Sequence, residues 1–316
     1  MTGTSLAAPG GIATLAGRRV ARIGFGAMQL ARPALDRERA LAVLRRAVAH
    51  GVNHIDTAQF YRLGACNELI REALFPYPEN LVLVSKVGAD HDDRGDLVAA
   101  QRTAQLRSGV EANLAGLGVE RLDVVNLRRL DGPPGIRAGA DQRVDLDSQL
   151  AELIALRDEG KIGGIGLSNV SAEQLRRALP AGIACVQNAY NLLDRTDEPV
   201  LDLCREHDLA WVPFFPLGSA FPEAEKVTAH PTVVTVAASL GVTPARLGLA
   251  PDPLRAHPAH PGHHRPRSPR RQHRGRRRPP RTRHVAAAER PGGIPVTRAL
   301  GQVVELPAGP ANVAVR

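Results

Sequence analysis

The chain has 316 residues and a formal charge of +9, which puts affinity for polyanions among the first expectations. The charge is localised, because residues 1–250 sum to −2 and residues 251–290 to +10. Three cysteines without paired spacing (Cys66, Cys185, Cys204) argue against a disulfide framework or a zinc site, and no apolar run is long enough to span a bilayer.

From about residue 20 to 243, short apolar runs alternate with longer amphipathic ones. "RRVARIGFGAM" places a strand near Ile23, with Gly24 and Gly26 following the alternation. "DRERALAVLRRAVAHG" has a helical period: Leu41, Leu44, Ala47 and Val48 share a face, and Gly51 sits where a C-terminal cap belongs. "VNHID" reads as a short strand, "NELIREAL" as a helix and "LVLVSK" as a strand. "TAQLRSGVEANLAGLG" is helical, "LDVVNL" a strand and "DLDSQLAELIALRDEGK" a helix. "IGGIGLS" is a strand, and "SAEQLRRAL" a helix opened by a Ser cap. "IACVQN", "DEPVLDLCREHD" and "LAWVPFFP" then read as strand, helix and strand, with "TVVTVAASLG" and "TPARLGLA" helical.

Strands alternating with helices imply parallel βαβ units. Seven such strands precede residue 216, and no G-x-G-x-x-G follows the first of them. A closed (β/α)₈ TIM barrel therefore fits better than an open doubly wound sheet, although the count is one strand short.

Barrels of this kind carry their chemistry at the C-terminal ends of the strands. Those ends bring Asp56, Lys86, Asn126 to Arg129, Ser168 and Asn169, Gln187 and Asn188, and Phe214 to Gly218, with Tyr61 five residues past Asp56. Taken singly, each has an ordinary explanation: Asp56 as a turn former, Lys86 as a solvated cation, Tyr61 as a packing residue. A phenol, an ammonium and a carboxylate at consecutive strand ends suit carbonyl reduction instead. An alkoxide forming on hydride delivery needs a proton, and Lys86 beside Tyr61 would lower the phenol pKa from its usual value near 10. Asp56 would hold the lysine charged and aimed.

The segments "GFGAMQL", "GVNHIDTAQFY", "LVLVSKVG", "EGKIGGIGLSNV", "VQNAYN" and "WVPFFPLG" resemble, in order, the signatures of the aldo/keto reductase family, in register from about residue 11 to 249. The resemblance implies a (β/α)₈ barrel that binds NADPH without a Rossmann domain and acts on a small carbonyl substrate. It implies Tyr61 as proton donor, with Asp56 and Lys86 as its partners. By the same resemblance Gly26, Ser168, Asn169 and Gln187 belong to the cofactor site, Phe214 stacks on the nicotinamide, and Phe215, Pro216, Leu217 and Gly218 wrap the pyrophosphate. No metal is implied, and a cytoplasmic location is expected. One departure is visible: the family's active-site histidine falls where "DVVNLRRLD" has Arg128. Arginine can orient a carbonyl oxygen but does not deprotonate in a protein, so the donor role rests on Tyr61. The combination is similar to a bacterial subgroup that includes pyridoxal reductases, which makes pyridoxal the leading substrate expectation.

After Ala250 the pattern breaks. Residues 251–290 hold eight Pro, six His and only two large aliphatic residues, Leu254 and Val285. Such a composition builds neither helix nor buried strand. Where the family has an eighth strand and an adenosine-phosphate grip, this chain has "HPGHH" and "SPRRQHRG". Shifted by one base, the first can read Ile-Leu-Val-Ile-Thr and the second Ala-Leu-Asp-Asp-Asn-Ile-Ala-Ala, close to the missing pieces. The expected organisation is thus an incomplete barrel over 1–250 and an aberrant, disordered Arg/Pro-rich tail over 251–316 created by a frame disruption. The competing reading is a non-catalytic barrel whose basic tail binds nucleic acid. That tail lacks aromatics for base stacking, so nucleic acid is not the expected partner.

Overall fold

Hydrophobic alternation sets the architecture. The computed structural model describes residues 8–30, 35–218 and 225–250. The expectations for residues 251–316 (tail, displaced eighth strand, frame disruption) lie outside the described residues.

A hairpin of β1 (Ile12–Leu15) and β2 (Arg18–Ala21) leads into β3 (Phe25–Gly26) and α1 (Arg37–Ala49). Then follow β4 (His54–Asp56), α2 (Ala65–Leu74), β5 (Val82–Val87), a second hairpin of β6 (Ala89–His91) and β7 (Leu97–Ala99), and α3 (Thr103–Leu117). The chain continues through β8 (Leu122–Arg128), α4 (Leu146–Asp158), β9 (Ile162–Ser168), α5 (Ala172–Ala178) and β10 (Ile183–Gln187). It closes with α6 (Glu198–Glu206), β11 (Ala210–Trp211), α7 (Pro231–Ser239) and α8 (Pro244–Gly248).

Seven strands form one parallel sheet in the order β11-β10-β9-β8-β5-β4-β3. This is the order of a (β/α)₈ barrel opened at one place, so the fold is an incomplete barrel. Among the described residues, β3 and β11 form its two edges. β11 is short, two residues extended by a bridge from Ala189 to Phe214.

The helices form where the apolar spacing and caps direct them. Asp36 caps α1 by accepting from the Arg39 amide at 2.7 Å, and Leu41, Leu44 and Ala47 are buried. Val48, expected on the same face, is only half-buried. Each fully buried leucine contributes roughly 1.5–3 kcal/mol. Ser171 and Gln174 close a capping box on α5, as the Ser-first pattern predicts.

Side-chain alternation divides the core in two. Outward-facing Ile55, Leu83, Val125, Leu127, Ile165 and Val186 pack beneath the helices. Inward-facing Val82, Val84, Val124 and Cys185 meet Leu15 and Val20 of the first hairpin, which plugs the floor of the barrel. Neither hairpin was expected from the sequence pattern. Toward the C-terminal strand ends the inward positions turn polar: Asp56, Lys86, Asn126, Arg128, Ser168 and Gln187. That gradient makes an apolar floor and a chemical mouth.

Candidate active site

Parallel pairing brings the strand ends level. Gly26 pairs with Asp56, Lys86 with Asn126, Arg128 with Ser168, and Ser168 with Gln187. Residues far apart in sequence thus line one rim.

Lys86 is the centre of the group. It is 3% exposed, forms an ion pair with Asp56, and donates from Nζ to the Thr57 carbonyl at 3.1 Å. Its Nζ also lies 5.0 Å from the Tyr61 ring centroid, and the ammonium interacts with the Tyr61 hydroxyl. Burial works against the charge on Lys86, yet the Asp56 carboxylate and the Tyr61 phenol outweigh it, and the ammonium pKa ends above its usual value. Lys86 is therefore charged at neutral pH. The second Asp56 oxygen accepts from Gln187 Nε2 at 2.9 Å, which ties β4 to β10 across the mouth.

Tyr61 is half-buried as a whole, while its hydroxyl is enclosed by protein. Burial pushes the phenol pKa up, Lys86 and Arg128 pull it down, and the balance is upward. This corrects the expectation of a lowered value. Lysine acts in the expected direction, but removal of the phenol from water is the larger effect.

Arg128 stands across from Tyr61. One Nη2–H donates to the Pro134 carbonyl at 3.0 Å, while buried Nε has no partner among the described residues. Burial holds its pKa below the usual arginine value, and Tyr61 acts the other way. Gln101, unnoticed in the sequence, holds the Arg128 backbone by donating to the Gly88 and Arg128 carbonyls at 2.6 and 2.9 Å. Gly88 takes φ +112°, and a Cβ there would collide with the Arg128 carbonyl and lie 2.7 Å from Gln101 Nε2. Only glycine allows β5 and β8 to end this close together.

The residues assigned to a nicotinamide cofactor lie on the same rim. Gln187 is 2% exposed and its Oε1 is buried without a hydrogen-bond partner among the described residues, an acceptor suited to a carboxamide N–H. Ser168 lies beside it, also 2% exposed. Asn169, at φ +60°, commits its Nδ2 to the Arg129 and Gly132 carbonyls, which leaves only its oxygen for a ligand. Gly26 has open space where a Cβ would point. Phe214 and Phe215 meet edge to face at 5.0 Å, and both are half-exposed at the rim. Phe215 at φ +59° and Gly218 at φ +94° bend the Phe215–Gly218 turn, closed by the Gly218 amide donating to the Phe215 carbonyl at 3.0 Å. Pro216 is half-exposed in that turn and Leu217 is buried. The donors and acceptors present fit a nicotinamide carboxamide.

His54 also went unnoticed. It is two residues before Asp56 and faces the same interior, so strand alternation carried the signal. Burial lowers its pKa despite the opposing Asp56 charge, and its Nδ1 has no partner among the described residues.

Comparison with known proteins places the chain in a family. The sequence pattern of the aldo/keto reductase family matches residues 22–250. The chain is 42% identical over 244 residues to pyridoxine 4-dehydrogenase of Escherichia coli (strain K12), covering 75% of this chain and 82% of that one. It is also 31% identical over 195 residues to the NADH-specific methylglyoxal reductase of the same organism, covering 58% of each chain. Among solved structures, an aldo/keto reductase from Klebsiella pneumoniae in complex with NADP and acetate superposes with a TM-score of 0.60 at 27% identity, covering 72% of this chain and 76% of that one. A glycerol dehydrogenase from Gluconobacter oxydans shares the fold at 21% identity, with a TM-score of 0.62 over 75% of this chain and 81% of that one.

Proposed function

The chain belongs to the aldo/keto reductase family of oxidoreductases, and from that premise we propose that it reduces a small aldehyde, with pyridoxal as the leading substrate, using NADPH. The observation that carries this reading is the buried Lys86–Asp56 pair beneath Tyr61, with Gln187 joined to the same carboxylate.

A reduced nicotinamide, when bound, supplies a hydride to the carbonyl carbon. Tyr61 gives its proton to the carbonyl oxygen as the C–O double bond becomes single. Its raised pKa keeps it protonated until then, the state a donor requires. Charged Lys86 and Arg128 stabilise the phenolate as the proton leaves, and solvent returns a proton to Tyr61 afterwards. Asp56 keeps Lys86 charged and oriented. Arg128, in the place of the family's histidine, orients the carbonyl oxygen through its unpaired Nε–H and leaves proton donation to Tyr61. Gln187 and Ser168 would hold the carboxamide of the bound nicotinamide, assisted by the Asn169 oxygen. Gly26 leaves the rim open beside them, Phe214 would cover the nicotinamide ring, and the Phe215–Gly218 turn would hold the pyrophosphate. The barrel over 1–250 is the catalytic unit.

The name of the Escherichia coli relative, pyridoxine 4-dehydrogenase, supports pyridoxal, and the nicotinamide complexes of the Klebsiella pneumoniae structures support the cofactor. The test is NADPH oxidation at saturating cofactor with pyridoxal, compared with the Tyr61→Phe variant. Turnover that disappears in the variant is expected. A variant that keeps its kcat, or a parent chain that oxidises NADPH with no aldehyde offered, would overturn the proposal.

A further inference from the structure

Behind the rim, on the helix side of β4 and β5, lies a polar cluster sealed from solvent. Thr57, Asn67, Ser85 and Asn113 are all 0% exposed. Asn67 Oδ1 accepts from Thr57 Oγ1 at 2.8 Å, and Asn67 Nδ2 donates to Gln59 Oε1 and Asn113 Oδ1 at 2.9 Å each. Asn113 Oδ1 also accepts from Ser85 Oγ at 2.5 Å, while its Nδ2 donates to the Gly109 carbonyl at 2.8 Å and the Lys86 carbonyl at 3.4 Å.

The chain positions are informative. Thr57 follows Asp56, Ser85 precedes Lys86, and Gln59 is two residues before Tyr61. Asp56, Tyr61 and Lys86 each have a near neighbour fastened to one of these two asparagines. The Thr57 carbonyl is itself an acceptor for Lys86 Nζ. The helix stripes that carry these asparagines are otherwise apolar: Leu106, Val110 and Leu117 on α3, and Leu69, Ile70 and Leu74 on α2. A buried amide costs stability unless it is fully bonded, and a leucine would fill either position without that demand.

We propose that Asn67 and Asn113 are positioning residues, which set the Asp56–Tyr61–Lys86 geometry from behind through Thr57, Gln59 and Ser85. The inference rests on the reading of those three as the reactive group.

The test labels the tyrosines with ¹³C at Cζ. The chain has three, Tyr61, Tyr77 and Tyr190, and the Tyr61 resonance is assigned by its loss in Tyr61→Phe. Three variants, Asn67→Leu, Thr57→Val and Ser85→Ala, are compared with Leu153→Ala, a core truncation on α4 that weakens the fold away from the rim. The Tyr61 resonance moves in all three cluster variants and stays in Leu153→Ala, while Tyr190 stays throughout. In turnover, Asn67→Leu loses about 10²-fold in kcat, the scale of a misplacement near 1 Å, with KM nearly unchanged. Thr57→Val and Ser85→Ala each remove a single hydroxyl and carry the test if Asn67→Leu does not fold. An unmoved Tyr61 resonance in the folded cluster variants, or the same movement in Leu153→Ala, overturns the inference. Turnover retained by Tyr61→Phe would instead sink the functional reading, so the two failures are distinguishable.

Discussion

Replacing Gly166 by alanine puts a methyl group where the barrel interior has no room. A Cβ there would overlap Asn126 Oδ1 and lie 2.8 Å from Cys185 Sγ, with both neighbours buried. Gly166 pairs with Asn126 across the β8–β9 ladder, so neither backbone can withdraw without breaking hydrogen bonds that set the Arg128 and Ser168 ends. The cost is that of an overpacked core, about 2 kcal/mol, or about 4–8 °C in Tm for a unit of this size. Asn126→Ala is a different matter. Among the described residues its Nδ2 has no partner and its Oδ1 accepts only a 3.4 Å contact from Cys185. Truncation removes an unsatisfied amide, and stability should change by less than about 1 kcal/mol. In the double variant the methyl occupies the vacated space and only the 2.8 Å approach to Cys185 Sγ remains, so most of the loss should be recovered. Urea and thermal unfolding of the four proteins give the coupling energy directly. Gly166→Ala melting with the parent, or a double variant as weak as the sum of the singles, would refute the steric argument.

Lys86→Met leaves Asp56 with Gln187 but without its cation, and the carboxylate keeps 18% side-chain exposure. A loss of about 3 kcal/mol in urea unfolding is expected, at the low end for a broken buried pair, together with loss of turnover. Arg128→Met separates stability from activity, because the buried guanidinium has an unpaired Nε. Tm should hold or rise while kcat falls about 10²-fold, the scale for removing a donor from a developing oxyanion; a fall in Tm would count against this account. His54 gives a pH dependence. Its folded pKa lies below the usual 6.5, so below that pH the unfolded chain takes up a proton that the folded chain refuses. Stability is full above pH 6.5 and declines as the pH falls toward the folded value. Urea midpoints between pH 7 and 5 should show the decline, and His54→Asn should flatten it.

Much of this molecule was legible in one dimension. Helix and strand periods are local properties, so α1 to α8 and the seven sheet strands could be read from apolar spacing, with Ser171 and Gly51 marking ends. Asp56, Lys86 and Tyr61 could be placed because strand ends in a parallel barrel share one rim. The tertiary structure decided what depends on distant partners. The hairpin plug has no reward until Leu15 and Val20 meet Val82 and Val124. The Tyr61 pKa turns upward because desolvation depends on everything packed around the phenol. Asn113 looks like an exception on an apolar helix stripe until Asn67, Ser85 and the Lys86 carbonyl gather around it. Sequence alone thus determined which residues belong to the barrel and which rim they reach. Only packing decided which polar groups are paired and which are left unpaired among the described residues, because burial and hydrogen bonding are properties of neighbours that the chain brings together from far apart.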